Sequence, residues 1–405
     1  MHMSLPGAPI DGLHAHARSV QPRTVTLRRA LHRHPELGLD LPRTRDAVVA
    51  ALADLPVQVH LGRSVSSVVA VLEGHRPGPT ILLRGDMDAL PMPEDTGLPF
   101  ASEVSGTMHA CGHDTHVAML ASAAHVLAER RDQIRGRVVF MFQPGEEGFH
   151  GARYMIEEGL LDRSGPAGRP DAAFALHISA TLPSGEVHAR PGPLMAAADV
   201  IRVTVNGRGG HASAPHDALD PVPAAAAMVG ALQTAVTRRI DTHQPVVLTI
   251  AHIIAGTTNN VIPETAVLEG TLRSLSESTR ATMYEEIRRV CRHTAMAHGC
   301  TAEVEIEPGY PVTVNDSGAT DHVTALAGDV LGRDSVATMP APIMGAEDFS
   351  YVLAEVPGAL AFLGGCPPGV DPAVAPPNHS NRVVFDEEAM AAGVAVYAGL
   401  ALSGL

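Results

Sequence analysis

Thr80-Ile-Leu-Leu-Arg-Gly-Asp-Met-Asp88 is an apolar run that breaks off into a glycine and two carboxylates. A short run without polar alternation reads as a strand buried on both faces, as in parallel sheets. The same grammar recurs in Arg137-Val-Val-Phe-Met-Phe-Gln-Pro-Gly-Glu-Glu147 and in Ala172-Ala-Phe-Ala-Leu-His177, and Ser67 to Leu72 supplies a further β-rich run. Between them, Asp114 to Arg130 carries Ala, Leu, Val and Met at helical spacing, with Asp114 and Thr115 as candidate N-caps. Upstream, Val25 to Asp54 reads as a helix, a His-Pro loop through His32, His34 and Pro35, and a second helix. Strands alternating with helices predict an α/β sheet with helices on both faces.

From Ala196 to Pro308 the pattern changes. Asp199 to Val205 alternates as a strand, Asp220 to Arg239 is an alanine-rich helix, Val246 to Ile254 and Ala266 to Leu272 are strands, Ser278 to His298 is a helix and Ala302 to Ile306 a strand. This β-α-β-β-α-β order is the ferredoxin-like split unit. The expected organisation is an α/β domain begun by residues 1–195, interrupted by the ferredoxin-like insertion at 196–308 and completed by 309–405. A length of 405 residues suits two domains better than one.

Composition narrows the chemistry. Lys and Arg number 29 against 44 Asp and Glu, a net charge of −15, and all 29 are Arg because lysine is absent. Pyridoxal-phosphate enzymes, Schiff-base aldolases, Walker P-loops and protein kinases each need a lysine amine, so all are excluded. The acidic balance argues against a nucleic-acid partner. Cys111, Cys291, Cys300 and Cys366 are too few and too scattered for a disulfide framework and form no Cys-x-x-Cys pair, which fits a reducing cytoplasm. Met1 to Val20 lacks a continuous apolar core, so no signal peptide or membrane anchor is expected there, and Met1-His2-Met3 reads as a cloning remnant. No uncharged apolar run reaches the roughly 18 residues that a bilayer span needs.

Open α/β sheets bind ligands beyond the carboxyl ends of their strands. There the sequence places Asp86 and Asp88, then Glu146 and Glu147, then His177, with Met108-His-Ala-Cys-Gly-His-Asp-Thr-His116 opening a helix beside them. Singly, each is ordinary: a hydrogen-bonded histidine, a solvated carboxylate pair at a helix start, a small buried thiol. Together on one rim, their like charges would repel unless cations neutralised them. Thiolate, imidazole and carboxylate suit Zn²⁺ or another late divalent ion better than Mg²⁺ or Ca²⁺. Two adjacent cations can activate a water and polarise an amide carbonyl. Of two adjacent glutamates, one can then hold metal while the other moves a proton to the leaving nitrogen.

Gly85-Asp-Met-Asp-Ala-Leu-Pro91, Met108-His-Ala-Cys-Gly-His-Asp114, Phe142-Gln-Pro-Gly-Glu-Glu-Gly148 and Asn378-His-Ser380 resemble, in order, the motifs of the M20 metallopeptidases. The closest branch is the amidohydrolases that include hippurate and auxin-conjugate hydrolases, and the likeness covers nearly the whole chain. It implies two divalent ions (Zn, Mn, Co or Ni) held by Cys111, His113, Glu147, His177 and His379, with Cys111 bridging and Glu146 as general base. Asp86 and Asp88 would orient ligands. In the insertion, which becomes a lid and dimerisation domain, the resemblance implies that His211 reaches a neighbouring subunit's site and stabilises the oxyanion. Asn260 and Arg273 would hold a substrate carboxylate; a bidentate guanidinium suits that role, and in so acidic a protein some local Arg must select anions. His116 would pack or hydrogen-bond, and His32 and His34 read as structural.

The implied function is metal-dependent hydrolysis of N-acyl amino acids, by a cytoplasmic homodimer or higher oligomer that binds neither nucleic acid nor membrane. A dipeptidase and an N-acetyl-diaminopimelate deacetylase share the chemistry. A non-catalytic homologue would have lost Glu146 or a ligand, and a thiol hydrolase on Cys111 and His113 would survive chelation. Two departures stand out: Gly345-Ala-Glu-Asp-Phe349 has Ala where relatives commonly carry Ser, and the Pro- and Gly-rich segment 366–377 decides where His379 points. With aromatics at 3%, no aryl-stacking acyl pocket is evident.

Overall fold

The computed structural model describes residues 10–163, 165 and 168–404, so the Met1-His2-Met3 segment lies outside it. The chain divides into two compact units, one of Met1–Gly192, Val314–Ala341 and Tyr351–Leu405, the other of Pro193–Thr313 and Pro342–Ser350.

Among the described residues, the first unit holds an eight-stranded mixed sheet in the order Gln58–Leu61, Val68–Glu73, Arg135–Gln143, Arg76–Asp86, Ala172–Ser179, Gly358–Gly364, Val187–Ala189, Val336–Thr338. Its centre is parallel, from Arg135–Gln143 across to Gly358–Gly364. Alternate residues such as Ile81, Leu83, Val138, Phe140 and Phe174 form one core with the helices Leu13–Arg33, Pro42–Leu52, His113–Glu129, Ser317–Leu331 and Ala389–Ser403. The intervening Leu82, Val139, Met141 and Ala173 are buried as well, which is why these strands read as unbroken apolar runs. Ala389–Ser403 is apolar all round and buried along its length. No helix among the described residues is long and apolar enough to cross a membrane.

Two local expectations are corrected. The first helix begins at Leu13, not near Val25, and runs straight through Pro22. Leu13, Ala17, Gln21, Thr24, Arg28 and Leu31 are buried at helical spacing on both sides of the proline, so packing of one continuous face outweighs the lost hydrogen bond. Asp114 and Thr115 do not cap the next helix. They lie inside it, and the N-cap is Gly112 at φ 90°, with no side-chain cap.

The second unit is a β-α-β-β-α-β arrangement. Its four-stranded antiparallel sheet, counted among the described residues, runs Val246–Ala255, Thr265–Ser274, Ala197–Asn206, Thr301–Pro308. The helices Pro221–Arg239 and Glu277–Ala297 bury one face of it, capped by Asp220 and Ser276. Pro342–Ser350 groups with this unit because Ile343 N–H donates to Leu194 O at 2.9 Å and Ala196 N–H to Gly345 O at 2.8 Å.

Candidate metal centre

Asp88, just past the strand Arg76–Asp86, organises the centre. Its carboxylate accepts the backbone N–H of Glu146 at 3.0 Å and of Glu147 at 2.9 Å, so both glutamates are fixed by their peptides. Its carbonyl accepts the Nδ1–H of His113 at 2.9 Å. Assigned from that partner, the His113 tautomer leaves a lone pair on Nε2. His177 is set the same way, Nδ1–H donating to Ile178 O at 2.8 Å, and its Nε2 lies 3.3 Å from Cys111 Sγ. His379 Nε2 sits 3.2 Å from the same sulfur and 3.2 Å from Glu147 Oε1.

The backbone around these donors is constrained. Gly112 adopts φ 90° between Cys111 and His113, and a Cβ there would come within 2.4 Å of Ile178 Cγ2. His379 is itself left-handed at φ 68°. Asn378 holds that turn: its amide donates to Cys111 O at 3.0 Å and Ile178 O at 2.9 Å, and its oxygen accepts Ala180 N–H at 3.1 Å.

These residues fit a pair of metal ions on structural grounds. His113 Nε2 is buried without a hydrogen-bond partner among the described residues, a costly arrangement unless something else binds it. Donor atoms of Cys111, His113 and His177 lie within 4.8 Å of one another, as do those of Cys111, Glu147 and His379. The two sets share the thiol and combine it with imidazole and carboxylate donors. Glu146 Oε2 stands 4.0 Å from His113 Nε2, beside these donors.

The electrostatics point the same way. Burial disfavours the His113 imidazolium, but Asp86 and the Cys111 sulfur outweigh it and hold the pKa well above the ordinary value. Hydrogen bonding to Cys111 and Glu147 lifts His379 to about 10. Burial pushes the Cys111 thiol up, and burial with the neighbouring His116 pushes His177 well down. Protons on His113 and His379 thus occupy a region of strong negative potential, where a divalent cation would replace them.

Asp86 is not among the shared-thiol donors. Arg84 Nη1 and His116 Nδ1 both bond its carboxylate, and it faces His113 Nε2 at 3.5 Å, where it can orient that ring. His116 therefore hydrogen-bonds, as expected. His32 ends the first helix rather than lying in a loop, and it pairs with Asp114 at 2.8 Å and Glu94 at 3.2 Å. The remaining expected site residues belong to the second unit. His211 pairs with Val261 in a two-stranded ribbon, and Ala212 N–H donates to Asn260 O at 3.0 Å. His211 Nδ1 accepts Ser213 N–H at 3.1 Å, which leaves Nε2 as the donor. Arg273 is half-buried and makes no side-chain hydrogen bond or close ion pair among the described residues; burial lowers its pKa. The motif around Asn378 carries no signal of its structural role, and Tyr397 carries none either, since an aromatic in an apolar helix does not announce a polar task.

A cluster of thiol, imidazoles and carboxylates at the strand ends of an α/β sheet, with a glutamate beside it, is the donor set of a metal-dependent hydrolase. The chain belongs to Peptidase family M20/M25/M40, whose model matches residues 82–403. It is 38% identical over 403 residues to thermostable carboxypeptidase 1 of Saccharolobus solfataricus, covering 97% of this chain and 98% of that protein. It is 34% identical over 385 residues to the IAA-amino acid hydrolase ILR1-like 2 of Arabidopsis thaliana, covering 94% and 85%. Among solved structures, the YXEP protein of Bacillus subtilis, a dinuclear metal binding peptidase from the M20 family, superposes with a TM-score of 0.82 at 32% identity, covering 95% and 98%.

Proposed function

We propose that the protein hydrolyses the amide bond of N-acyl amino acids, with two divalent ions of the Zn, Mn, Co or Ni type held by Cys111, His113, Glu147, His177 and His379. The observation that carries this reading is the pair of donor sets sharing Cys111, with the buried Nε2 of His113 left without a hydrogen-bond partner among the described residues. Bound there, the ions would polarise the scissile carbonyl and lower the pKa of the attacking water. Glu146, whose peptide N–H is fixed by Asp88, takes the proton from that water and delivers it to the leaving nitrogen. His211, with Nε2–H as its outward donor, stabilises the oxyanion, and Asn260 and Arg273 bind the carboxylate of the amino-acid half. An unpaired, half-buried guanidinium supports that last assignment, because it gains most from an anion. The relatives named for a carboxypeptidase and an amino-acid conjugate hydrolase both imply a substrate ending in an amino acid.

His211 acts across a homodimer in this reading. The edge strand Val246–Ala255 exposes Val247, Ile253 and Ile254, while the opposite edge carries the exposed Glu303, Glu305 and Glu307. Of the two edges, the unguarded apolar one favours pairing and the acidic one discourages it. Four free cysteines fit a cytoplasmic location.

The test is to strip the protein with a chelator, reload it in turn with Zn²⁺, Mn²⁺, Co²⁺ and Ni²⁺, and assay N-acyl amino acids, dipeptides and N-acetyl-diaminopimelate. Hydrolysis of N-acyl amino acids restored by metal is expected. Activity that survives complete removal of metal refutes the reading, and a preference for dipeptides or N-acetyl-diaminopimelate moves the substrate. Mixing His211→Ala with Glu146→Gln tests the shared site: mixed dimers, verified by mass spectrometry, should recover activity. Mixed dimers without recovery would show that His211 does not act in trans.

A further inference from the structure

The central sheet is forked at the metal centre. The strands Arg76–Asp86 and Ala172–Ser179 pair in parallel from Ile81↔Ala172 as far as Arg84↔Ala175 and then stop. Each continues to pair on its other side, Arg76–Asp86 through Asp86↔Gln143 and Ala172–Ser179 through Ser179↔Gly364. The separation is therefore local to residues 84–86 and 176–178, the span that delivers Asp86 and His177.

Two side chains fill the fork. In an unbroken ladder, Leu176 N–H would bond directly to Arg84 O. Instead the Tyr397 hydroxyl stands between them, accepting Leu176 N–H at 2.9 Å and donating to Arg84 O at 2.6 Å. One step further, Ile178 N–H donates to His116 Nε2 at 2.8 Å, and the other nitrogen of that ring bonds the Asp86 carboxylate. First a hydroxyl and then an imidazole thus replace two successive ladder bonds, a wedge that widens toward the metal centre. For a roughly tetrahedral hydroxyl, the Leu176 N to Arg84 O separation becomes about 4.5 Å in place of about 2.9 Å. Tyr397, Arg84 and His116 are each at most 1% exposed, so no water competes for these bonds.

His177 lies between the two tethered peptides. Its preceding N–H is held by Tyr397, its following N–H by His116, and its own Nδ1–H bonds Ile178 O. We infer that Tyr397, with His116, is a positioning residue that holds the sheet open and thereby sets where His177 Nε2 meets Cys111 and the metal. This rests on the reading of His177 as a ligand. Without the hydroxyl, Leu176 N–H and Arg84 O lose the group that joins them, and the peptide that carries His177 is no longer held at its distance from Asp86.

Tyr397→Phe removes the hydroxyl and keeps the ring. Leu400→Ala, buried one turn further along the same helix, makes a cavity but leaves the Tyr397 hydroxyl in place, and serves as the control for simple destabilisation. Chelator-stripped wild type and both variants are titrated with Zn²⁺ against a chromogenic chelator, and the Co²⁺-loaded forms are compared by absorption. Tyr397→Phe should bind Zn²⁺ about 10- to 100-fold more weakly, the span for losing a group that orients a ligand, and shift the Co²⁺ spectrum, while Leu400→Ala binds like wild type. In the metal-free protein, hydrogen exchange should accelerate at Leu176 in Tyr397→Phe and stay unchanged at Ala173, which bonds Pro357 O on the other side. Wild-type affinity in Tyr397→Phe, or equal loss in Leu400→Ala, overturns the positioning role alone. A wild type that binds no Zn²⁺ overturns the metal reading and the role that rests on it.

Discussion

Raising the pH should cost this fold stability through one buried histidine. His32 is 1% exposed, with Nδ1 at 2.8 Å from Asp114 and Nε2 at 3.2 Å from Glu94. Burial opposes its protonation, but the two carboxylates prevail and raise its pKa from the ordinary 6.5 to about 9. Each pH unit between folded and unfolded values carries about 1.4 kcal/mol, so the protonated ring contributes about 3 kcal/mol. Because the folded value is the higher one, that stability is complete below pH 6.5 and is lost as the pH rises through about 9. Set against a total of roughly 5–15 kcal/mol, the loss is measurable. Urea unfolding followed by circular dichroism, on metal-free wild type and His32→Gln at several pH values across this window, reads it directly. The gap between the two proteins should narrow by about 3 kcal/mol from the low to the high end of the window. Parallel profiles would refute the assignment of His32 as a protonated, paired group.

Gly112→Ala should be among the most damaging small substitutions: a left-handed alanine costs about 1–2 kcal/mol and the clash with Ile178 about 1–3 more, so urea unfolding should register a loss of about 2–5 kcal/mol. Glu146→Gln should keep its metal, measured by elemental analysis, while turnover falls roughly 10²- to 10⁴-fold; Glu147→Gln should lose metal, and equal loss in both would show the roles to be misassigned. Arg273→Ala should raise KM for an N-acyl amino acid about 10- to 100-fold and leave the corresponding carboxamide unaffected, the discrimination expected from a charged hydrogen bond; equal effects on both substrates would remove Arg273 from carboxylate binding.

Much of the molecule was legible in the sequence because it depends on local periodicity. The buried parallel strands at 80–83, 137–142 and 172–176 and the alternating strands around 199–205 and 266–272 appear where apolar spacing placed them, each extended by a few residues. The candidate ligands were legible for a related reason: strand ends and a helix start are sequence-local, so Cys111, His113, Glu147 and His177 could be placed on one rim before any coordinates. Other features depend on partners distant in the chain. Pro22 stays helical only because the face on either side of it is buried, and Asp114 leaves the cap position because Arg28 and His32, some 80 residues earlier, bind its carboxylate. The lone pairs on His113 and His177 are decided by carbonyls of Asp88 and Ile178, and the position of His379 by Asn378 reaching back to Cys111. The fork that Tyr397 and His116 hold open joins two strands and two helices that no window of sequence contains, so only the folded chain could bring that hydroxyl and that ring between Leu176, Ile178 and the strand that carries Asp86.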